Sequence, residues 1–231
     1  MRSSTPTKTL VIANSHAAAL QCAMRSRYNS SSFPLKMIAK AGPEFGLLDI
    51  ENGVISHSEL LKNPIDYLQF DNIIIYGLQL LSRTNGGKWI KQVRDQDAGR
   101  FSSAALENAA IDDLLSTSSY QLAKKFYLDS SSSCRVICLP SPYPGELILA
   151  QKKQWENISD NKGWTQKIKN IYKSEFKKID TEYHHLPKEL LSDKNNFTTH
   201  QKFLNRKEDF SHINEMGGEL VLDHILGMIT P

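Results

Sequence analysis

Short, wholly apolar runs alternate along this chain with longer stretches that read as helix. Thr9-Leu10-Val11-Ile12-Ala13 is β-rich and lacks polar alternation, the pattern of a strand buried on both faces. Asn14-Ser15-His16 follows and gives way to Ala17-Ala18-Ala19-Leu20-Gln21-Cys22-Ala23-Met24, where alanine and leucine favour helix. Ser15 therefore stands where a strand hands over to a helix N-terminus. Leu35 to Ala39 reads as a second strand, ending at Ala41-Gly42-Pro43. Phe70 to Tyr76, running into Gly77, is the clearest buried strand in the chain. Arg135 to Leu139 stops at Pro140, with Pro142 and Pro144 forbidding continuation. Leu147 to Lys178 is a long helical stretch with a break near Asp160-Asn161-Lys162-Gly163. In it Trp164, Ile168, Ile171, Tyr172 and Ile179 recur at three- and four-residue intervals, and Lys167, Lys169, Lys173, Lys177 and Lys178, mostly between them, read as a solvated face, with an anionic partner as the alternative. Ile179 to His184 is a fifth, shorter strand, Leu186 to Lys207 a polar loop, and Ile213 to Ile229 a closing helix whose first turn Gly217-Gly218 weakens. Each strand is followed by a stretch long enough for a crossover helix. The fold class expected is α/β: a parallel sheet of about five strands between two helical layers.

Composition narrows the picture modestly. The 231 residues suit one domain spanning 1–231, and 40% hydrophobic with 23% charged residues is ordinary for a globular protein and too apolar for a disordered one. No apolar run approaches the ~18–20 residues that cross a bilayer. Met1 to Lys8 is polar, which reads as no secretory signal and a cytoplasmic location. A net charge of +3 is too mild to predict nucleic acid binding. Cys22, Cys134 and Cys138 are too few and scattered for a disulfide framework or a zinc site. His184, His185 and His200 do not make a metal cluster, since adjacent histidines point apart and no Cys or carboxylate stands at ligand spacing. Asn85-Gly86-Gly87-Lys88 lacks the spacing of a phosphate-binding loop. Neither a metal nor a cofactor is expected.

In an open parallel sheet, ligands bind beyond the carboxyl ends of the strands. Those ends carry Asn14-Ser15-His16, Gly42, Gly77-Leu78-Gln79 and Pro140-Ser141-Pro142, and Asp209-Phe210-Ser211-His212 stands before the last helix. A serine at a strand-to-helix turn, a late Asp and a late His are the parts of an acyl-transfer triad. A serine hydroxyl is a poor nucleophile until an imidazole takes its proton, and the imidazole needs a carboxylate to fix its tautomer. The developing oxyanion needs donors already in place. The Ser15 N–H is a natural first donor, with the Gly42 N–H and the Gln79 amide as second and third. Each residue also has a plainer reading. Ser15 and Asp209 suit helix caps, Gly77 suits a tight turn, His212 and Gln79 suit ordinary polar loop positions, His16 either lines the pocket or serves structure or solvent, and Tyr143 with the turn from Pro140 to Gly145 walls the pocket.

The order of these blocks resembles the SGNH (GDSL-type) hydrolase superfamily, which has a flavodoxin-like three-layer α/β/α fold. Ala13-Asn14-Ser15 matches its Gly-Asp-Ser block, Gly42 its lone glycine, Gly77-Leu78-Gln79 its Gly-x-Asn block and Asp209-Phe210-Ser211-His212 its Asp-x-x-His. The resemblance covers roughly Thr9 to Ile229. It implies Ser15 as nucleophile, His212 as base, Asp209 as its orienting carboxylate, and Asn14, His16, Gly42, Gly77 and Gln79 around the oxyanion and substrate. Asn14 replaces the family's aspartate at a position that shapes the turn. Gln79 replaces its oxyanion asparagine and is one methylene longer. The activity implied is that of a serine esterase removing an acyl group such as O-acetyl from a carbohydrate or related ester. The alternatives are an O-acyltransferase in glycan assembly and a glycan-binding module with little catalysis.

Overall fold

The first predicted strand, Thr9–Ala13 (β1), is buried at every position, and the rest of the architecture is arranged around it. A computed structural model describes residues 8–28, 35–40, 42, 44–78, 103–145, 162–192, 195–206 and 212–230. After β1 come helix α1 (Ala17–Arg27) and strand β2 (Leu35–Ala39). A small antiparallel sheet follows, made of β3 (Asp49–Glu51), β4 (Val54–Ser56) and β5 (Ile65–Asp66). Strand β6 (Asn72–Leu78) leads to helices α2 (Ser103–Leu115) and α3 (Ser118–Leu128), then to β7 (Arg135–Pro140). Helix α4 (Lys162–Lys178), β8 (Thr181–Tyr183), the short antiparallel pair β9 (Leu191–Ser192) and β10 (Asn195–Thr199), and helix α5 (Glu215–Ile229) complete it.

Among the described residues the central sheet has five strands in the order β2-β1-β6-β7-β8, all parallel. This is the doubly wound 2-1-3-4-5 order, whose direction of winding reverses between β1 and β6. Alternate side chains explain the two cores. Leu10, Ile12, Ile73, Ile75, Val136 and Cys138 point toward one helical layer, with Leu114, Phe126 and Phe176. Val11, Ala13, Ile74, Tyr76, Ile137 and Leu139 point toward the other, where α1 and α5 supply Leu20, Met24, Val221 and Leu222. A sheet covered on both faces needs apolar residues at consecutive positions, which is why the inner strands β1, β6 and β7 read as nearly unbroken runs.

Three expectations are corrected. The connection from β2 to β6 holds no crossover α-helix among its described residues. Its chain reverses at Asn52-Gly53, where φ values of 50° and 81° match a two-residue hairpin loop. The stretch Leu186 to Lys207 is not a plain loop, because β9, β10 and two short 3-10 turns occupy much of it. Lys169 does not sit on a solvated face. It is only 8% exposed, with its ammonium 5.3 Å from the centre of the Tyr143 ring, and burial lowers its pKa. The first half of the predicted long helix, residues 147–161, lies outside the described residues. No described helix is long and apolar enough to cross a membrane.

Candidate active site

Ser15 and His212 are 197 positions apart, yet the Ser15 Oγ lies 3.1 Å from the His212 Nε2. Both residues are exposed, at the carboxyl end of β1 and beside the point where the winding reverses. The helix-cap reading of Ser15 does not describe this arrangement. The N-cap position of α1 belongs to His16, which makes no side-chain capping bond, while the Ser15 hydroxyl is turned to His212.

Sheet register places the turn beneath Ser15. Ala13 pairs with Tyr76, so the next residues, Asn14 and Gly77, lie side by side. The buried Asn14 amide donates to the Gly77 carbonyl at 3.0 Å and accepts from the His16 N–H at 3.1 Å. Gly77 has φ +127°, and a Cβ there would stand 2.5 Å from Asn14 Cγ. Glycine is required both for the backbone angle and for the approach of the amide. Gly77 also falls at an irregularity in the β6–β7 ladder, which steps from Tyr76–Leu139 to Leu78–Pro140.

His212 is presented by a separate set of contacts. Its carbonyl accepts from Asn205 N at 2.9 Å, and the adjoining Leu204–Ile213 bridge ties this segment to the chain before it. Asn214 then caps α5: its Oδ1 accepts from Gly217 N at 3.1 Å while its Nδ2 donates to the Lys202 carbonyl at 2.8 Å. Gly218, one of the two glycines expected to weaken this helix, lets it approach α1. Both glycines are buried, and a Cβ on Gly218 would stand 2.2 Å from the Ala19 carbonyl oxygen. The first turn of α5 thus rests on the first turns of α1, which brings His212 to Ser15.

A cleft of about 240 Å³ opens over the pair, walled by His16, Ala18, Ala19, Cys22, Asn205, Asn214 and Glu215. Sequence reasoning found His16 but not the others. An Asn directly before a helix is a capping signal that points to Asn214, whereas Cys22 and Ala18 join the wall only because α1 turns that face to the cleft. Pro140 to Gly145, expected to wall the pocket, lines no part of this cleft; Tyr143 is buried in the α2–α4 core. Gly42 sits in an exposed turn after β2 with φ +51°, and a Cβ placed there would meet nothing within 4 Å. Gln79 and Asp209 lie outside the described residues. His184 and His200 have structural partners: Glu182 at 2.9 Å for His184, and the Lys202 N–H, which donates to His200 Nδ1 at 3.2 Å. No described group of His, Cys, Asp or Glu is arranged to hold a metal ion.

No protein-family model matches the sequence, and no curated protein does either. Among solved structures, the chain is similar to the periplasmic domain of a lipopolysaccharide acetyltransferase from Salmonella ser. Paratyphi A. The identity is 14% and the TM-score 0.42, over 97% of this chain and 85% of that one. A second crystal structure is 9% identical with a TM-score of 0.41, over 96% of this chain and 97% of the other. At such values the likeness does not bear on what this chain does.

Proposed function

We propose that the protein is a serine esterase that works through an acyl-enzyme. The observation that carries this reading is the 3.1 Å contact between Ser15 Oγ and His212 Nε2 at the open carboxyl end of the sheet. His212 takes the proton as Ser15 Oγ bonds to the ester carbonyl carbon, and returns it to the alcohol oxygen as the carbon–oxygen bond breaks. Water, activated by the same imidazole, then cleaves the acyl group from Ser15 as the carboxylic acid. Asp209 as the group orienting His212, and Gly42 and Gln79 beside the Ser15 N–H as oxyanion donors, follow the family resemblance. A short acyl group such as acetyl follows the resemblance too. The carbohydrate alcohol rests on the resemblance alone.

The test is labelling with a fluorophosphonate, located by peptide mapping. Stoichiometric modification at Ser15, absent in Ser15→Ala and strongly slowed in His212→Ala, is the expected result. Hydrolysis of p-nitrophenyl acetate by Ser15→Ala should fall by at least about 10³-fold. Unlabelled, well-folded parent protein would remove the esterase reading. Transfer of acetyl to an added sugar in excess of hydrolysis would reassign the acyl-enzyme to a transferase.

A further inference from the structure

His212 is exposed, and as a general base it must keep its Nε2 aimed at the serine hydroxyl through the whole reaction. What stands beside it is another imidazole. The His16 ring centre is 5.1 Å from that of His212, with the ring planes inclined at 33°. His16 is itself fixed. It is 5% exposed, its backbone N–H is held by Asn14, and its ring lies 6.2 Å from that of Tyr76, which is wholly buried at the end of β6. The rings therefore run from core to solvent: Tyr76 in the sheet, His16 in the turn, His212 at the surface.

We propose that His16 is a positioning residue, an aromatic platform that holds the His212 ring with Nε2 aimed at Ser15; this rests on the esterase reading of that pair. The separation falls in the range where aromatic rings attract one another. No nitrogen of His16 takes part in this role; only its ring face does. The neighbouring position in sequence is a consequence of the turn: Ser15 projects into the cleft, and His16, one residue on, packs beneath the base that serves it.

That separation of ring from nitrogen sets the experiment. His16→Phe keeps a flat ring and removes both nitrogens, whereas His16→Leu fills much of the space without a ring; thermal unfolding of each establishes that it is folded. With p-nitrophenyl acetate, His16→Phe should keep kcat within about 3-fold of the parent, and His16→Leu should lose up to about 10²-fold in kcat with KM little changed, the cost of a misaligned base. If the Leu variant does not fold, His16→Met takes its place. Imidazole NMR gives a readout independent of turnover: the His212 ring protons should keep their ring-current shift in His16→Phe and lose it in His16→Leu. Full kcat in the folded Leu or Met variant overturns the proposal, as does a Phe variant as impaired as Leu, which would place the role on a His16 nitrogen. A parent that neither labels nor hydrolyses, yet shows the His212 shift changing as stated, supports the ring platform while removing the esterase reading.

Discussion

Asn14 uses both halves of its amide, donating to the Gly77 carbonyl and accepting from the His16 N–H. An ionised aspartate accepts but does not donate, so at this buried position it would set a carboxylate oxygen against the Gly77 oxygen. Asn14→Asp should therefore destabilise the protein by about 1–3 kcal/mol, read as a lower urea midpoint; an unchanged midpoint would mean that the donated bond contributes nothing. Gly77→Ala is the more severe change, because the methyl meets the amide at 2.5 Å and the backbone sits at φ +127°. Its expected outcome is a displaced Asn14 and a loss of fluorophosphonate labelling at Ser15 beyond any loss of stability. The sequence placed Asn14 at a turn and Gly77 at a strand end, but their bond depends on parallel register between β1 and β6, which no local pattern encodes.

The contact between α1 and α5 decides whether serine and histidine meet. It has two anchor points: the glycine approach at Ala19–Gly218, and Arg27 at the far end of α1, which pairs with Asp223 on α5. Gly218→Ala drives a methyl into the Ala19 carbonyl, so it should cost about 1–3 kcal/mol and separate the two helices. Slower labelling of Ser15 in the folded fraction is the accompanying expectation. Helix propensity alone marked Gly217-Gly218 as a weakness, since the need for close approach appears only when the partner helix is known. A second tie runs between β7 and β8, where Arg135 binds both carboxylate oxygens of Glu182 at 2.6 and 2.7 Å. The Arg135 hydrogen bonds, with help from His184, hold the Glu182 carboxyl down to about 2 against an ordinary 4.5. The folded value is the lower one, so this contribution to stability is whole above pH 4.5 and is lost as pH falls from there toward 2. Denaturation midpoints measured across that window should fall less steeply in Glu182→Gln than in the parent. The effect is modest because both groups are partly exposed.

At the scale of the whole molecule, the parallel sheet was readable because burial on both faces writes itself as apolar runs at Thr9–Ala13, Ile73–Tyr76 and Val136–Leu139, while the edge strand Leu35–Ala39 leaves Lys36 and Ala39 exposed. The small sheet from β3 to β5 was not, although Asn52-Gly53 between Asp49–Glu51 and Val54–Ser56 carries a hairpin signal. Three-residue strands give too little alternation to stand out beside it. The pairing of Ser15 with His212 was legible as a candidate from the order of blocks, whereas the platform under His212 required the fold. The exposed Ser130–Ser131 turn, between α3 and β7, divides the molecule so that Ser15 with β1, β2 and β6 lies on one side and His212 with β7, β8 and α5 on the other. On the proposed reading, two fragments parted there would each be chemically mute, since one holds Ser15 and the other His212. Were the halves to rejoin along the β6–β7 ladder, covalent labelling of Ser15 would register only the reunited form, making the site a built-in reporter of fragment complementation.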